Sequence, residues 1–289
     1  LINVNKIKIF LEMIKFEHTI FALPFAFLGA ILGNVLIEGT FPTLMEWVWI
    51  TLAMVGARTA AMSLNRLIDA NIDRANPRTE TRAIPAGLLS KVEVLVFTAL
   101  SFLLLFYSAY QLNELAMYLL PIAVFFLVIY SYTKRFTWLC HVVLGITIGL
   151  APLGGWVGAT GTLTIDAFLL FLGVVFWIAG FDIIYATQDA DYDREVKLFS
   201  IPSRFGIAKS LMIARAFHIV AFLFFASLIF TTSLGYIYAF GVLVSGLIMT
   251  YEHSLVSAKD LSKLNVAFFT MNGILSIVMF IFTLGDILL

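Results

Sequence analysis

The sequence predicts an all-α polytopic membrane protein of nine transmembrane helices, built as two related four-helix halves with a ninth helix added. Three observations carry that prediction. The 289 residues are 61% hydrophobic and 12% charged, against a charged fraction of about 25% in soluble domains, and the mean hydropathy is +1.00. Apolar runs of about 20 residues, enough to cross a hydrocarbon core, recur along the chain. They are too long and too uniformly apolar for the alternating strands of a barrel, which leaves the helix as the structure that satisfies its own backbone in lipid. Finally, two acid-rich segments, Asn65 to Asp73 and Asp182 to Asp193, each close an apolar run and lie four runs apart.

In chain order, residues 1–18 carry Ile7, Leu11 and Ile14 at helical spacing beside Lys6, Lys8 and Lys15, the pattern of a helix lying in the membrane interface. It is expected to anchor the chain without chemistry of its own. The first long run lacks a small-residue cleavage pattern and Cys140 is the single cysteine, so neither a cleavable signal nor a disulfide framework is expected. Spans follow near 19–37 and 44–64. Ser90-Lys-Val-Glu93 has capping-box spacing and opens the span at 92–112. Of the next two, 116–133 and 138–158, the latter is Gly-rich around Pro152, which predicts close helix packing. Spans at 166–186, 211–231, 234–251 and 266–286 complete a single domain, 1–289.

Lys and Arg fix the orientation, because they stay on the cytoplasmic side in short loops. With the N-terminus inside, all 18 fall on that side, and the opposite loops hold only Glu38, Glu46, Glu114, Asp166 and Asp286. Both acidic segments are therefore cytoplasmic and the C-terminus is outside. The zero net charge hides this sidedness, and nothing suggests a nucleic-acid partner. The residues after each acidic segment repeat: Asp73-Arg74, Ile84-Pro85-Ala86-Gly87 and Lys91 are echoed by Asp193-Arg194, Ile201-Pro202-Ser203, Gly206 and Lys209. The two connecting segments, 74–91 and 194–210, are long for a compact bundle and are expected to act as cytoplasmic lids.

On a helix Asn65, Asp69 and Asp73 form one stripe, with Arg58 deeper on the same stripe. Asp182, Tyr185, Asp189 and Asp193 form another, whereas Asn71 and Asp191 point away. Carboxylates one turn apart repel one another and are costly in a membrane, so they call for a cation. Mg²⁺ held by Asp69, Asp73, Asp189 and Asp193, its octahedron completed by diphosphate oxygens and water, answers that need. Lys134, four residues after Tyr130, and Arg78, Arg82, Lys197 and Arg204 in the lids supply the remaining positive charge. A metal-chelating anion in front of a membrane-embedded cavity points to an amphiphile with a diphosphate head and a hydrocarbon tail, such as a polyprenyl diphosphate.

Plainer roles compete for single residues. Arg66, Arg135, Lys209, Lys259 and Lys263 are expected to be orientation signals, and Arg58 has pairing with Asp69 as its alternative role. His141 and His218 stand alone in spans as packing residues; His18 and His253 are weaker candidates for a substrate pocket. Without an HxxxH pattern or a cysteine partner, zinc is not expected. A secondary transporter is the alternative of another class, but its charges belong at the midplane between broken half-helices.

The two stripes have the form NxxxDxxxD and DxxYxxxDxxxD, and they resemble the signatures of the UbiA superfamily of intramembrane aromatic prenyltransferases. Tyr130-Ser-Tyr-Thr-Lys134-Arg135 matches a further family element, and the likeness runs over essentially the whole chain. The resemblance implies Mg²⁺, a polyprenyl diphosphate and a hydroxylated aromatic acid, joined at the ring carbon ortho to the hydroxyl in the plasma membrane of a bacterial cell. It implies catalytic roles for Asn65, Asp69, Asp73, Asp182, Asp189 and Asp193, with Asp193 or Asp73 taking the phenolic proton. Substrate binding falls to Arg58, where the family has an arginine that meets the acid's carboxylate, and to Arg78, Arg82, Tyr130, Lys134, Tyr185 and Lys197. The segments 14–24 and 76–85 resemble the 4-hydroxybenzoate polyprenyltransferase branch. Leu198 to Gly206 and Tyr251-Glu252-His253 look more like the branch of the futalosine route to menaquinone, which acts on 1,4-dihydroxy-6-naphthoate. A 4-hydroxybenzoate-type acceptor ranks first and the naphthoate second.

Overall fold

A computed structural model describes residues 4–15 and 19–289, so His18 lies outside the described residues. Among them all regular structure is helical, apart from one isolated bridge between Ser257 and Asp260. The helices are α1 (Val4–Met13), α2 (Thr19–Glu38), α3 (Leu44–Ala75), α4 (Lys91–Leu112), α5 (Glu114–Thr133), α6 (Cys140–Thr160) and α7 (Ile165–Ala186), followed by α8 (Ala190–Glu195), α9 (Ile201–Phe205), α10 (Ile207–Thr231), α11 (Tyr236–Ser254) and α12 (Asn272–Leu288). A π-helical turn, Val266–Met271, leads into α12. Seven helices in the described residues are long and apolar enough to cross a membrane: α3, α4, α5, α6, α7 with its extension to Glu195, α10, and α12 with its π turn. The other two expected spans, α2 and α11, are helical but do not meet that measure; the described apolar part of α2, Leu23–Glu38, is short.

Local chemistry sets the helix ends. Thr43 with Glu46 and Ser90 with Glu93 form reciprocal capping boxes at the starts of α3 and α4, while Asn113 and Thr164 accept the orphan N–H groups of α5 and α7. Helix α3 runs 11 residues beyond its apolar stretch, from 64 to Ala75, so the first acidic stripe is a continuous helix. It stops at Asn76, whose backbone is extended (φ −99°, ψ 118°) because Pro77 follows. The expected loop at 194–210 is mostly helical: α8, α9 and an early start of α10 leave only a short exposed turn at 196–199 and Gly206, at φ +79°, between them.

Helix α3 packs along α4, and α7 along α10, so each half of the chain repeats one pairing; α2 packs on α6, and α12 on α11 and α2. The α2–α6 contact is backbone on backbone. A Cβ built on Gly29 would fall 2.0 Å from the Pro152 carbonyl oxygen, and one on Gly155 2.0 Å from that of Ala26. Such approach is open only to residues without side chains and gains dispersion where lipid offers no hydrophobic drive. The adjoining core is built from Phe25, Leu28, Trp156, Trp177 and Phe225.

The N-terminal helix departs from its expected role. Its Phe10, Met13 and Ile14 are buried against Ala70, Ala83, Ile84, Leu89 and Val94, while Ile7 and Leu11 stay exposed. Helix α1 therefore has two apolar faces, one of which clasps the end of α3 and the following loop.

Candidate active site

The continuous helix α3 presents the first stripe to α5 and to the loop that follows α3. Asp69 is buried and receives Lys134 Nζ, Arg135 Nη2 at 2.8 Å and Asn65 Nδ2 at 3.3 Å; Asn65 also reaches Ser131 Oγ. Asp73, one turn on, is buried and held by Arg82 through both carboxylate oxygens, at 2.7 and 2.8 Å. The second stripe faces this set. Arg78 donates from Nε and Nη2 to the two oxygens of Asp189, at 3.0 and 2.7 Å, so the loop after α3 reaches an acid at the end of α7. Tyr192 Oη donates to the Ile72 carbonyl at 3.3 Å and joins the two acidic segments directly. Asp193 is half-buried beside them, and Asp191 is almost fully exposed, paired with Arg194.

Next to this cluster lies a cavity of about 730 Å³ among α1, α2, α3, the loop after α3, α6, α7 and α12. Part of its wall is polar, with Arg58, Arg66, Arg78, Arg82 and Asp182; part is apolar and aromatic, with Phe25, Ile148, Trp177, Phe181 and Phe268. Tyr185 is also on the wall, stacked on Phe268 at 4.0 Å. Arg78 and Arg82, which hold Asp189 and Asp73, line the cavity, and Asp182 is the one motif carboxylate on its wall. Tyr130 Oη donates to the Ala61 carbonyl at 3.3 Å and braces α5 on α3 away from the wall. Lys197 lies in the exposed turn at φ +58°, and Arg204 stacks over Trp138, so neither meets the cluster.

Several sequence expectations need correction. Helix α1, expected to have no part in the chemistry, lines the cavity with Ile9, Glu12 and Met13. Arg135 is a direct partner of Asp69, and Arg66 lines the cavity while donating to the Met13 carbonyl at 3.4 Å; both are more than orientation signals. Lys209, Lys259 and Lys263 are exposed. Arg58 donates to the Ile14 carbonyl at 3.2 Å on the cavity wall, while the cations on Asp69 are Lys134 and Arg135. His141 is not solitary: its Nδ1 lies 2.6 Å from Asp182 Oδ2. His218 and His253 are likewise joined, ring nitrogen to ring nitrogen at 3.0 Å, beside a separate cleft between α10 and α11 of about 560 Å³. Only contacts between distant helices reveal these partners; the spacing of the residues gives no signal of them.

The donor set suits a hard cation. Among the described residues no group of three His, Cys, Asp or Glu side chains converges to hold an ion. Carboxylate pairs on two facing helix ends fit Mg²⁺, which takes one or two protein carboxylates and fills its octahedron from phosphate and water. They do not fit zinc, which needs a tighter cage of nitrogen and sulfur ligands.

A family model described as the UbiA prenyltransferase family matches residues 22–276. A 4-hydroxybenzoate octaprenyltransferase of Tolumonas auensis is 34% identical over 157 residues, 54% of this chain and 55% of that protein. One from Shewanella woodyi is 26% identical over 268 residues, 93% of each chain. The solved apo structure of a UbiA homolog from Aeropyrum pernix K1 superposes with a TM-score of 0.84 at 32% identity, covering 93% of this chain and 98% of that one. A UbiA homolog from Archaeoglobus fulgidus, solved with GPP and Mg²⁺, shares the fold with a TM-score of 0.76 at 18% identity, over 97% of this chain and all of the other.

Proposed function

We propose, for a chain that belongs to the UbiA prenyltransferase family, Mg²⁺-dependent transfer of a polyprenyl group from its diphosphate to the ring of a hydroxylated aromatic carboxylate of the 4-hydroxybenzoate type. The observation that supports this most is one cavity, beside the paired acidic segments, whose wall combines four arginines with aromatic and aliphatic side chains. Asp69, Asp73, Asp189 and Asp193 would hold Mg²⁺, which supplies charge neutralisation for a departing diphosphate. Arg78, Arg82 and Lys134, which hold Asp189, Asp73 and Asp69 in the structure, would turn to the leaving oxygens once the metal takes their place on the carboxylates, and add donors where charge develops. The hydrocarbon tail lies along Phe25, Ile148 and Phe268, and Tyr185, Phe181 and Trp177 exclude water from the allylic carbon as the C–O bond breaks.

The acceptor enters with its carboxylate toward Arg58, and Arg66 supplies a second guanidinium on the same wall. Its electron-rich ring attacks the allylic carbon, and a proton must then leave. Asp182, the motif carboxylate on the wall, suits that proton better than Asp73 or Asp193, whose carboxylates stand back from the cavity. The remaining elements of the proposal are nine spans, counting α2 and α11, and a bundle oriented by its cations with the site and the N-terminus cytoplasmic, in a bacterial plasma membrane.

The test is to incubate purified protein in detergent with Mg²⁺, a polyprenyl diphosphate and either 4-hydroxybenzoate or 1,4-dihydroxy-6-naphthoate, and to look for product by mass spectrometry. Prenylated 4-hydroxybenzoate is expected. Product with the naphthoate alone would replace the acceptor, and none with either acid would refute the proposal.

A further inference from the structure

We infer that His141 is a positioning residue that fixes both the orientation of Asp182 and the segment from Leu198 to Gly206 through one neutral imidazole. The inference rests on the proposed role of Asp182 at the cavity wall. His141 occupies the first turn of α6 and is 3% exposed. Its two ring nitrogens face different elements. The backbone N–H of Ile201, the first residue of α9, points at Nε2 from 3.2 Å. An N–H can only donate, so Nε2 carries the lone pair and the ring proton sits on Nδ1. Nδ1–H therefore donates to Asp182 Oδ2 at 2.6 Å, on a residue that lines the cavity. The order is that of an orienting dyad in which the carboxylate, rather than the imidazole, meets the substrate.

The same corner carries more of the segment. Phe199 N–H donates to the Lys134 carbonyl at 2.7 Å, and Cys140 Sγ approaches the Phe199 carbonyl at 3.5 Å. Lys134 meanwhile extends its side chain to Asp69. The turn between α5 and α6, with the first turn of α6, thus touches both acidic stripes and the segment between α8 and α10. At its buried end, His141 makes Asp182 and Ile201 share one ring, so a movement of α9 away from the bundle turns the imidazole and with it the carboxylate.

Two substitutions separate the two contacts. An asparagine amide reaches the place of Nδ1 and can still donate to Asp182, but it falls short of Ile201. A glutamine carbonyl reaches the place of Nε2 and can still accept from Ile201, but its amide lies too far along to hold Asp182. Hydrogen exchange and turnover would be measured on the full chain in detergent for wild type, His141→Asn and His141→Gln. In His141→Asn, exchange in peptides covering Leu198–Gly206 is expected to rise at least tenfold while α6 and α7 keep their protection. His141→Gln is expected to keep that protection yet lose at least tenfold more kcat than His141→Asn, with KM for the diphosphate changed by less than threefold. Equal exchange in all three proteins, or equal kcat in the two variants, would overturn the coupling. Faster exchange throughout α6 and α7 in both variants would overturn it too, because the ring would then only be packing the bundle. If wild type makes no prenylated product the functional reading fails, and the exchange comparison still decides whether the ring holds the segment.

Discussion

Gly155→Ala tests how much the cavity depends on the contact between α2 and α6. The added Cβ would lie 2.0 Å from the Ala26 carbonyl oxygen, and Cβ atoms essentially never approach closer than 3.0 Å. The obstacle is backbone on a helix, with no rotamer to yield, so the helices must part by at least the difference, 1.0 Å. Phe25, next to Ala26, and Ala151 and Ile148, on the other helix, are cavity walls and would move with them. Overpacking of this kind costs about 1–3 kcal/mol, and a displacement of roughly 1 Å in a reacting pair lowers turnover about 100-fold. Gly154→Ala is the control, one residue away on the same helix, where the new methyl meets nothing within 4 Å. It should stabilise by about 0.5–1 kcal/mol through helix propensity alone. Thermal unfolding in detergent and initial rates of prenyl transfer, measured on both variants, give the comparison. If Gly155→Ala matched Gly154→Ala in both assays, the helices would not be in backbone contact and the cavity would not depend on it.

Three other outcomes are expected. Asp189→Ala should abolish turnover with the melting temperature nearly kept, whereas Asp191→Ala, at an exposed side chain, should change the rate by less than twofold; equal losses would contradict the facing of the second stripe. Asn272→Leu removes the acceptor of Trp177 Nε1–H and the donor to Glu252 Oε1, leaving buried orphans that cost about 3 kcal/mol together, and a melting curve superimposable on wild type would exclude that. Chelation of divalent ions should stop product formation and readdition of Mg²⁺ should restore it, as followed by mass spectrometry; turnover persisting in chelator would remove the metal from the proposal.

The fold class was legible because hydropathy is a property of windows, and the stripes because i, i+4 spacing survives in any helix. What escaped the sequence lies between elements. Lys134 and Arg135 are neighbours with the same charge, yet only Lys134 was assigned to the site; the end of α5 presents both to Asp69, which no single helix pattern encodes. His141 and Asp182 are 41 residues apart and meet because α6 and α7 pack side by side. In α1 the stripe of Ile7, Leu11 and Ile14 was read as an interfacial face, and of these Ile14 is buried against protein. Phe10 and Met13 were equally present at helical spacing with Ile14, but an apolar face does not state whether lipid or protein will cover it. At 194–210 the length of the segment suggested a lid loop, although Ser200 and Ser203 cap a short helix there and Pro202 suits its first turn.

Arg78 belongs to the first half of the chain and grips Asp189 in the second, while the carbonyl of Lys134 holds Phe199 across the same divide. Each half therefore supplies a part that the other lacks. A change in the second stripe alters the partner of a residue more than a hundred positions earlier, so the halves are not free to diverge separately. Substitutions tolerated here should come in compensating pairs, and grafting one half onto a relative's other half should fail at this join even where every helix still packs.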